Sequence, residues 1–504
     1  MDSGMTTTTV ERATRLGRVR GIRRLGVETY RGLRYAEPAQ RFRAAVLAAT
    51  PWDGIYDATT PKAMAPQPMV MPELYGPASS APFAEDCLFL NIHVPAAPSA
   101  APRPVIVFIH GGSFTFGAAN YYDGTALALG TDAIAVSINY RLGMFAALDL
   151  DWLGTKRDGG GQLWLGDQIT ALRWIRDNIA DYGGNPDLVT VIGESAGALS
   201  VAALCAAPQA EGLVQRAVAC STGYLIPDAS NDIIGAVAQK RRCSRASALE
   251  FLRTASTETL IAMQKRSKTL SIVPVCDTPL LPGRMEDLIR ARGAKAVPLI
   301  AGYATHEGRS LELILKLATG LPLWLVKSVS HLASRAIARH AAGGQRRVPD
   351  YLRRLKKATG SSGWGSAYND LIWTDGFRHG AVTYAEATQS AGSRAYVYAM
   401  DVPMKFGDYR IPSSHGVDVA LTFNVWQDPE HTVPEFADHP AAPALAARWV
   451  NMLGHFARYG EPGDALGAWP AYETGARASM LVSCDGCRVE KDLERVFREK
   501  VWNS

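Results

Sequence analysis

Short unbroken apolar runs alternate along this chain with longer stretches in which apolar residues recur every three or four positions. The runs are Val105–Ile109, Ile134–Ile138, Leu188–Ile192, Ala217–Cys220, Pro298–Ala301 and Tyr396–Met400. They are strand-length and continuous rather than alternating, which predicts strands covered on both faces. Asp167–Tyr182 places Ile169, Leu172, Ile175 and Ile179 on one helical face and stops at Gly183-Gly184. Ala441–Tyr459 predicts a second helix, ended by Gly460. Strands alternating with helices predict an α/β fold, with a large, mostly parallel, doubly wound sheet flanked by helices. No repeat and no linker rich in Pro, Gly or Ser cuts the chain, so 17–504 is read as one domain and 1–16 as a disordered lead-in.

One segment stands apart. Residues 311–360 hold ten Lys or Arg against two acidic residues, Glu312 and Asp350, although the whole chain is only +5. The apolar positions there (Leu321, Trp324, Leu325, Val329, Leu332, Ile337) recur at helical spacing, which predicts a helical insertion over the sheet. A solvated basic face is one reading, and a weak membrane or lipid-surface contact is the other.

Composition changes little. The chain has 504 residues, 47% hydrophobic and 20% charged, which is ordinary for a globular protein. Its small net charge and the lack of an aromatic-and-basic stripe argue against nucleic acid. The first residues contain no apolar core and no small-residue cleavage site, so no signal peptide is expected. No apolar run approaches the roughly 18 residues of a membrane span. Cys484 and Cys487 flank Asp485-Gly486, which reads as a hairpin turn rather than a metal or redox pair.

Candidate chemistry centres on Gly-Glu-Ser-Ala-Gly at Gly193–Gly197. It lies between the strand-like Leu-Val-Thr-Val-Ile and a small-residue helical stretch, the setting of a nucleophile elbow. Glycines two before and two after Ser195 would let the chain turn tightly and hold the hydroxyl up at a helix N-terminus. Ile-His-Gly-Gly-Ser-Phe at Ile109–Phe114 follows another strand. Gly111 and Gly112 there, with the N–H of Ala196, are candidate donors to an oxyanion. His110 is read as structural. The residues alone do not choose a base among ten histidines; His379, His415 and His455 all stay open.

Several longer motifs settle that choice by resemblance. Glu85–Pro95 (EDCLFLNIHVP) and Tyr182–Gly197 (YGGNPDLVTVIGESAG) resemble the two signatures of the type-B carboxylesterase/lipase family, within the α/β-hydrolase superfamily. Arg31–Ala36, Arg41-Phe42, Trp52, Asn139-Tyr140-Arg141, Asp167-Gln168 and Trp469-Pro470 fall in the family's order, nearly end to end. The resemblance implies an α/β-hydrolase fold with helical insertions over the active site, and a serine carboxylesterase using Ser195. It further implies that Glu307, in Ala301–Gly308 with His306 where the family has Asp, is the acid. His415, in Ser414–Phe423, is implied as the general base. The order Ser, Glu, His is that of α/β-hydrolases.

The chain also departs from the family. Its secreted members pair the Cys of the first signature with an upstream Cys; here Cys87 faces Ala65. A second family pair would join Cys243 to a position held by Phe251. Each bridge has lost one partner, which implies a bacterial-type member of a reducing, cytoplasmic compartment. The tryptophan that cholinesterases place before the Glu-Asp-Cys-Leu stretch is absent, disfavouring choline esters. Carbamate, amide or lipid hydrolysis at the same site remains an alternative, and a non-catalytic binding role is a remoter one. No metal or organic cofactor is implied; a small-molecule ester is the expected partner. Acyl preference and oligomeric state are open.

Overall fold

A computed structural model of the chain describes residues 7–68, 81–154, 161–223, 232–265, 274–330, 332, 348–406, 409–425 and 439–502. The strands, in chain order, are β1 (Thr8–Thr14), β2 (Gly17–Arg24), β3 (Val27–Arg34), β4 (Ile55–Asp57) and β5 (Phe89–Pro95). They continue as β6 (Arg103–Ile109), β7 (Ile134–Ile138), β8 (Gly184–Glu194), β9 (Arg216–Cys220) and β10 (Leu299–Ala304). The last are β11 (Ala395–Asp401), β12 (Met404–Phe406), β13 (Tyr409–Ile411), β14 (Ala478–Ser483) and β15 (Arg488–Lys491). Among the described residues, thirteen of these form one sheet in the order β1-β2-β3-β5-β7-β6-β8-β9-β10-β11-β14-β15, with β4 beside β2. The strands from β7 to β14 in that order run parallel. Antiparallel strands close both edges.

The parallel strands are mostly apolar on both sides because the two faces are packed by different side chains. In β6, Val105, Val107 and Ile109 enter one core, while Ile106 and Phe108 enter the other. In β9, Ala217 and Ala219 take the first face and Val218 and Cys220 the second. Helices Leu163–Asn178, Ala196–Ala206 and Gly365–Ser390 cover the first face through Trp164, Val201 and Tyr384. Helix Ala442–Tyr459 covers the second through Trp449 and Val450. Five of the six predicted runs lie wholly within strands, and the sixth, Pro298–Ala301, starts one residue before β10. The helix predicted at Asp167 starts earlier, at Leu163, and its last turn, Ile179–Tyr182, tightens to a 3₁₀ helix. Cys484 and Cys487 sit in the loop of the antiparallel β14–β15 hairpin, as predicted.

One expectation needs correction. The lead-in is not free of structure: Thr8–Thr14 is strand β1, paired residue for residue with β2. Its half-buried positions alternate (Val10, Arg12, Thr14). Arg12 lies against the sheet, donating to Glu28 Oε2 at 2.7 Å and Tyr30 Oη at 3.1 Å. The signal is a two-residue period in Thr and charged residues, which an apolar-run reading passes over. The basic insertion is helical where described, at Gly308–Thr319, 323–330 and Val348–Thr359. Its apolar positions, however, do not all turn inward. Leu321, Trp324, Val329 and Leu332 are exposed, while Val326 and Ser330 face the protein. Ile337 and the basic residues Arg335, Arg339, Arg346 and Arg347 lie outside the described residues.

The family-like motifs brace the sheet's antiparallel end. Arg141 donates through Nε to the buried Asp167 at 2.8 Å. Arg34 pairs with Asp86 at 2.7 Å, which ties the Arg31–Ala36 stretch to the neighbouring motif.

Candidate active site

Strand β8 delivers Ser195 to the head of helix Ala196–Ala206. The serine holds φ 57° and ψ −119°, a region that ordinary residues avoid. The flanking glycines make this turn possible. A Cβ on Gly193 would sit 2.2 Å from Gly197 O, and one on Gly197 would sit 2.0 Å from Ile109 O. No side chain fits at either place. Ser195 N–H donates to Cys220 O at 2.9 Å, fixing the elbow to the end of β9.

The three residues singled out from sequence meet here. His415 Nδ1 lies 2.6 Å from Glu307 Oε2, and its Nε2 lies 2.8 Å from Ser195 Oγ. A carboxylate only accepts, so Nδ1 carries the proton and Nε2 faces the serine. Glu307 is fully buried; its other oxygen accepts from Ala304 N–H at 2.7 Å, and its own N–H donates to Thr374 Oγ1 at 3.0 Å. The Phe377 ring lies 4.7 Å from the imidazole, centroid to centroid, and walls it on one side. The other open histidines are elsewhere. His379 stacks on Trp502, and His455 Nδ1 pairs with Glu461 O.

Gly111 and Gly112 border the same spot. A Cβ on Gly111 would lie 3.0 Å from Ser195 Cβ, and one on Gly112 would strike Phe116 O at 2.0 Å. Gly112 also has φ +103°. Ala196 is the first residue of its helix, where N–H groups lack intrahelical acceptors. Gly111 thus packs against the serine, and Ala196 opens the helix that follows it. His110 is buried, stacks on Tyr140 at 4.4 Å and pairs through Nδ1 with Gly111 O at 2.8 Å. Burial lowers it to about 4, so it stays neutral and braces the loop.

Sequence reasoning missed two carboxyls. Glu194, the residue before the serine, places Oε1 3.3 Å from His415 Nε2. Burial raises Glu194 to about 7; Glu307 adds to the rise and His415 opposes it. Asp418, one helical turn beyond His415, bonds the Tyr398 hydroxyl at 2.7 Å and is likewise raised by burial to about 7. Burial works against a charged His415, but Glu194 and Glu307 outweigh it and lift the imidazole to about 9. The signal for Glu194 was its acidic side chain at the buried end of an apolar strand.

Among the described residues, no cluster of three or more His, Cys, Asp or Glu is arranged to hold a metal, and no helix is long and apolar enough to cross a membrane. All seven cysteines are free.

A parallel sheet of this order, with a serine elbow at one strand end joined to a histidine and a glutamate, defines an α/β-hydrolase. A sequence model of the Carboxylesterase family matches residues 8–498, and the chain belongs to that family. Its chemistry is the hydrolysis of carboxylic esters. The chain is 30% identical to the para-nitrobenzyl esterase of Bacillus subtilis (strain 168), over 97% of this chain and 98% of that one. It is 30% identical to the phenmedipham hydrolase of Pseudarthrobacter oxydans, over 96% and 97% respectively. A solved thermophilic PNB esterase superposes with a TM-score of 0.81 at 28% identity, covering 98% of this chain and 99% of that one.

Proposed function

We propose that the chain hydrolyses small-molecule carboxylic esters through an acyl-enzyme on Ser195. The observation that carries this reading is the unbroken line of hydrogen bonds from Glu307 through His415 to Ser195. Ser195 Oγ attacks the ester carbonyl while its proton passes to His415 Nε2. The carbonyl oxygen becomes an oxyanion held by the N–H groups of Gly111, Gly112 and Ala196. Collapse breaks the C–O bond, and the leaving alkoxide takes the proton from His415. Water then attacks the acyl group, gives a proton to His415, and the acid departs as Ser195 recovers its own. Glu307 holds the imidazole in the useful tautomer and stabilises the imidazolium.

We read the chain as one hydrolase domain with a helical insertion at about 311–360. The seven free cysteines favour a reducing, cytoplasmic setting. The name of the phenmedipham hydrolase keeps substrates beyond simple esters in view, with the same site and the same tetrahedral intermediate.

A fluorophosphonate probe tests the nucleophile. It labels the wild type and not Ser195→Ala, which stays folded and loses roughly 10⁴- to 10⁶-fold in turnover of p-nitrophenyl esters. Wild-type turnover by that variant rules the mechanism out. Esters of graded chain length, run alongside, size the acyl pocket.

A further inference from the structure

Trp324 and Trp364 are the two most exposed large apolar side chains among the described residues, at 70% and 66%. Both belong to one surface. In the helical run 323–330, Val326 and Ser330 face inward, whereas Trp324, Lys327 and Ser328 face out. Trp364 joins it from the next helix: a Cβ on Gly365 would lie 3.9 Å from Lys327 O, and one on Gly363 would lie 3.4 Å from the Lys356 side chain. Helix Val348–Thr359 buries Tyr351 and Leu355 and turns Arg353, Lys356 and Lys357 to solvent.

Single exposed apolar residues need no explanation. Two tryptophans rimmed by lysines do, because solvent-exposed apolar area beside cations matches a surface that is apolar inside and anionic at its edge. We propose that this face docks on an anionic lipid surface. The tryptophans enter the headgroup region, and Lys327, Lys356 and Lys357 meet the lipid phosphates.

The face is tied to the catalytic acid. Buried Glu312 accepts from Ser330 Oγ at 3.1 Å, Ser366 Oγ at 2.7 Å and Asn369 Nδ2 at 3.2 Å. It therefore clamps the outward run and helix Gly365–Ser390 to helix Gly308–Thr319, which starts directly after Glu307. Docking on lipid would thus fix the hydrolase site at a set distance from the interface.

Flotation of the full chain with vesicles tests this. Vesicles of phosphatidylcholine with phosphatidylglycerol carry the wild type up at low salt, and phosphatidylcholine alone does not. Binding fades as salt rises, because the charges are screened. Lys356→Gln with Lys357→Gln lowers partitioning roughly fivefold per lysine. Trp324→Ser with Trp364→Ser abolishes the blue shift of tryptophan fluorescence on anionic vesicles. Both double variants keep turnover of a soluble p-nitrophenyl ester within about twofold, which certifies their fold and keeps this test separate from the catalytic one. Equal binding to both vesicle types, no binding to either, or wild-type binding by both variants overturns the proposal. So does a concentration-dependent dimer that the tryptophan variant dissolves, since a second copy would then cover the face.

Discussion

Gly112 combines two demands that no other residue meets. Its φ is +103°, and a side chain there would strike Phe116 O. Gly112→Ala must therefore displace the loop that, in the proposed mechanism, brings backbone donors to Ser195. We expect a loss of roughly 100- to 1000-fold in kcat, the usual effect of removing one oxyanion donor, with KM changed far less. Steady-state kinetics check it, and a rise in KM alone would count against the donor role. Glu194 leads to a second prediction. Folded, it keeps its proton to about pH 7, against an ordinary value of 4.5. The folded chain binds more protons between those limits, so stability falls as pH rises across them. His415 acts in the same direction higher up: its contribution is complete below 6.5 and is lost as pH rises through about 9. Glu194→Gln should flatten the dependence of the urea midpoint on pH between 4.5 and 7. It should also move the acid limb of kcat/KM to lower pH, since His415 loses one of the charges that raise it. An unmoved limb would free His415 of Glu194. Ser195 was legible because its neighbours in sequence are its steric environment. His415 and Glu307 are brought in by β10 and by the loop after β13, and no local pattern separates His415 from His379; only the longer motifs did.

At the scale of elements, the acid is held by a helix that the apolar pattern did not predict. Gly365–Ser390 runs under Glu307, and Thr374 on it accepts the Glu307 N–H. Asp370, one turn earlier, accepts Gly308 N–H at 2.9 Å and Thr374 Oγ1–H at 3.3 Å, and pairs with His306 Nδ1 at 2.7 Å. The histidine that stands in the family's Asp position thus finds its carboxylate on a neighbouring helix. Asp370→Ala would leave a buried N–H unmet and loosen the turn that aims Glu307. The expected cost is about 1–3 kcal/mol of stability, with kcat falling more than KM rises. Denaturant titration beside kinetics tests it; equal stability with unchanged kcat would make Asp370 incidental. This helix escaped prediction because it is packed on several sides. Tyr368, Ile372, Phe377, Ala381 and Tyr384 are all buried, so no single apolar stripe stands out. Strand β1 escaped for the opposite reason, being an edge strand of Thr and charged residues. The central strands were legible because burial on both faces leaves them few polar positions, such as Ser137 and Thr190, to blur the run.

Over the whole molecule, stability rests on the two-faced core rather than on crosslinks. Where the family's secreted members join two cysteines, Cys87 is fully buried in the first core, which also takes in Ala65. Burial pushes its thiol far up, which keeps it protonated and unreactive. At the second place Phe251 carries the Arg241 guanidinium 3.7 Å over its ring, a cation–π contact in place of a bridge. This pattern could be read from sequence because a half-bridge needs only one missing cysteine to be recognised. What fills the gap could not, since Arg241 and Phe251 meet only once their helices pack. A chain held this way should be indifferent to redox conditions. Its urea midpoint is expected to be the same with and without excess dithiothreitol. Thiol-reactive maleimide should reach Cys87, Cys220 and Cys276, all buried, only at the rate of unfolding. A hidden crosslink would instead show as a loss of about 2–5 kcal/mol on reduction. Rapid labelling of Cys87 in the folded protein would mean that the first core opens locally, and that the loss of the family bridge has been only partly compensated by packing.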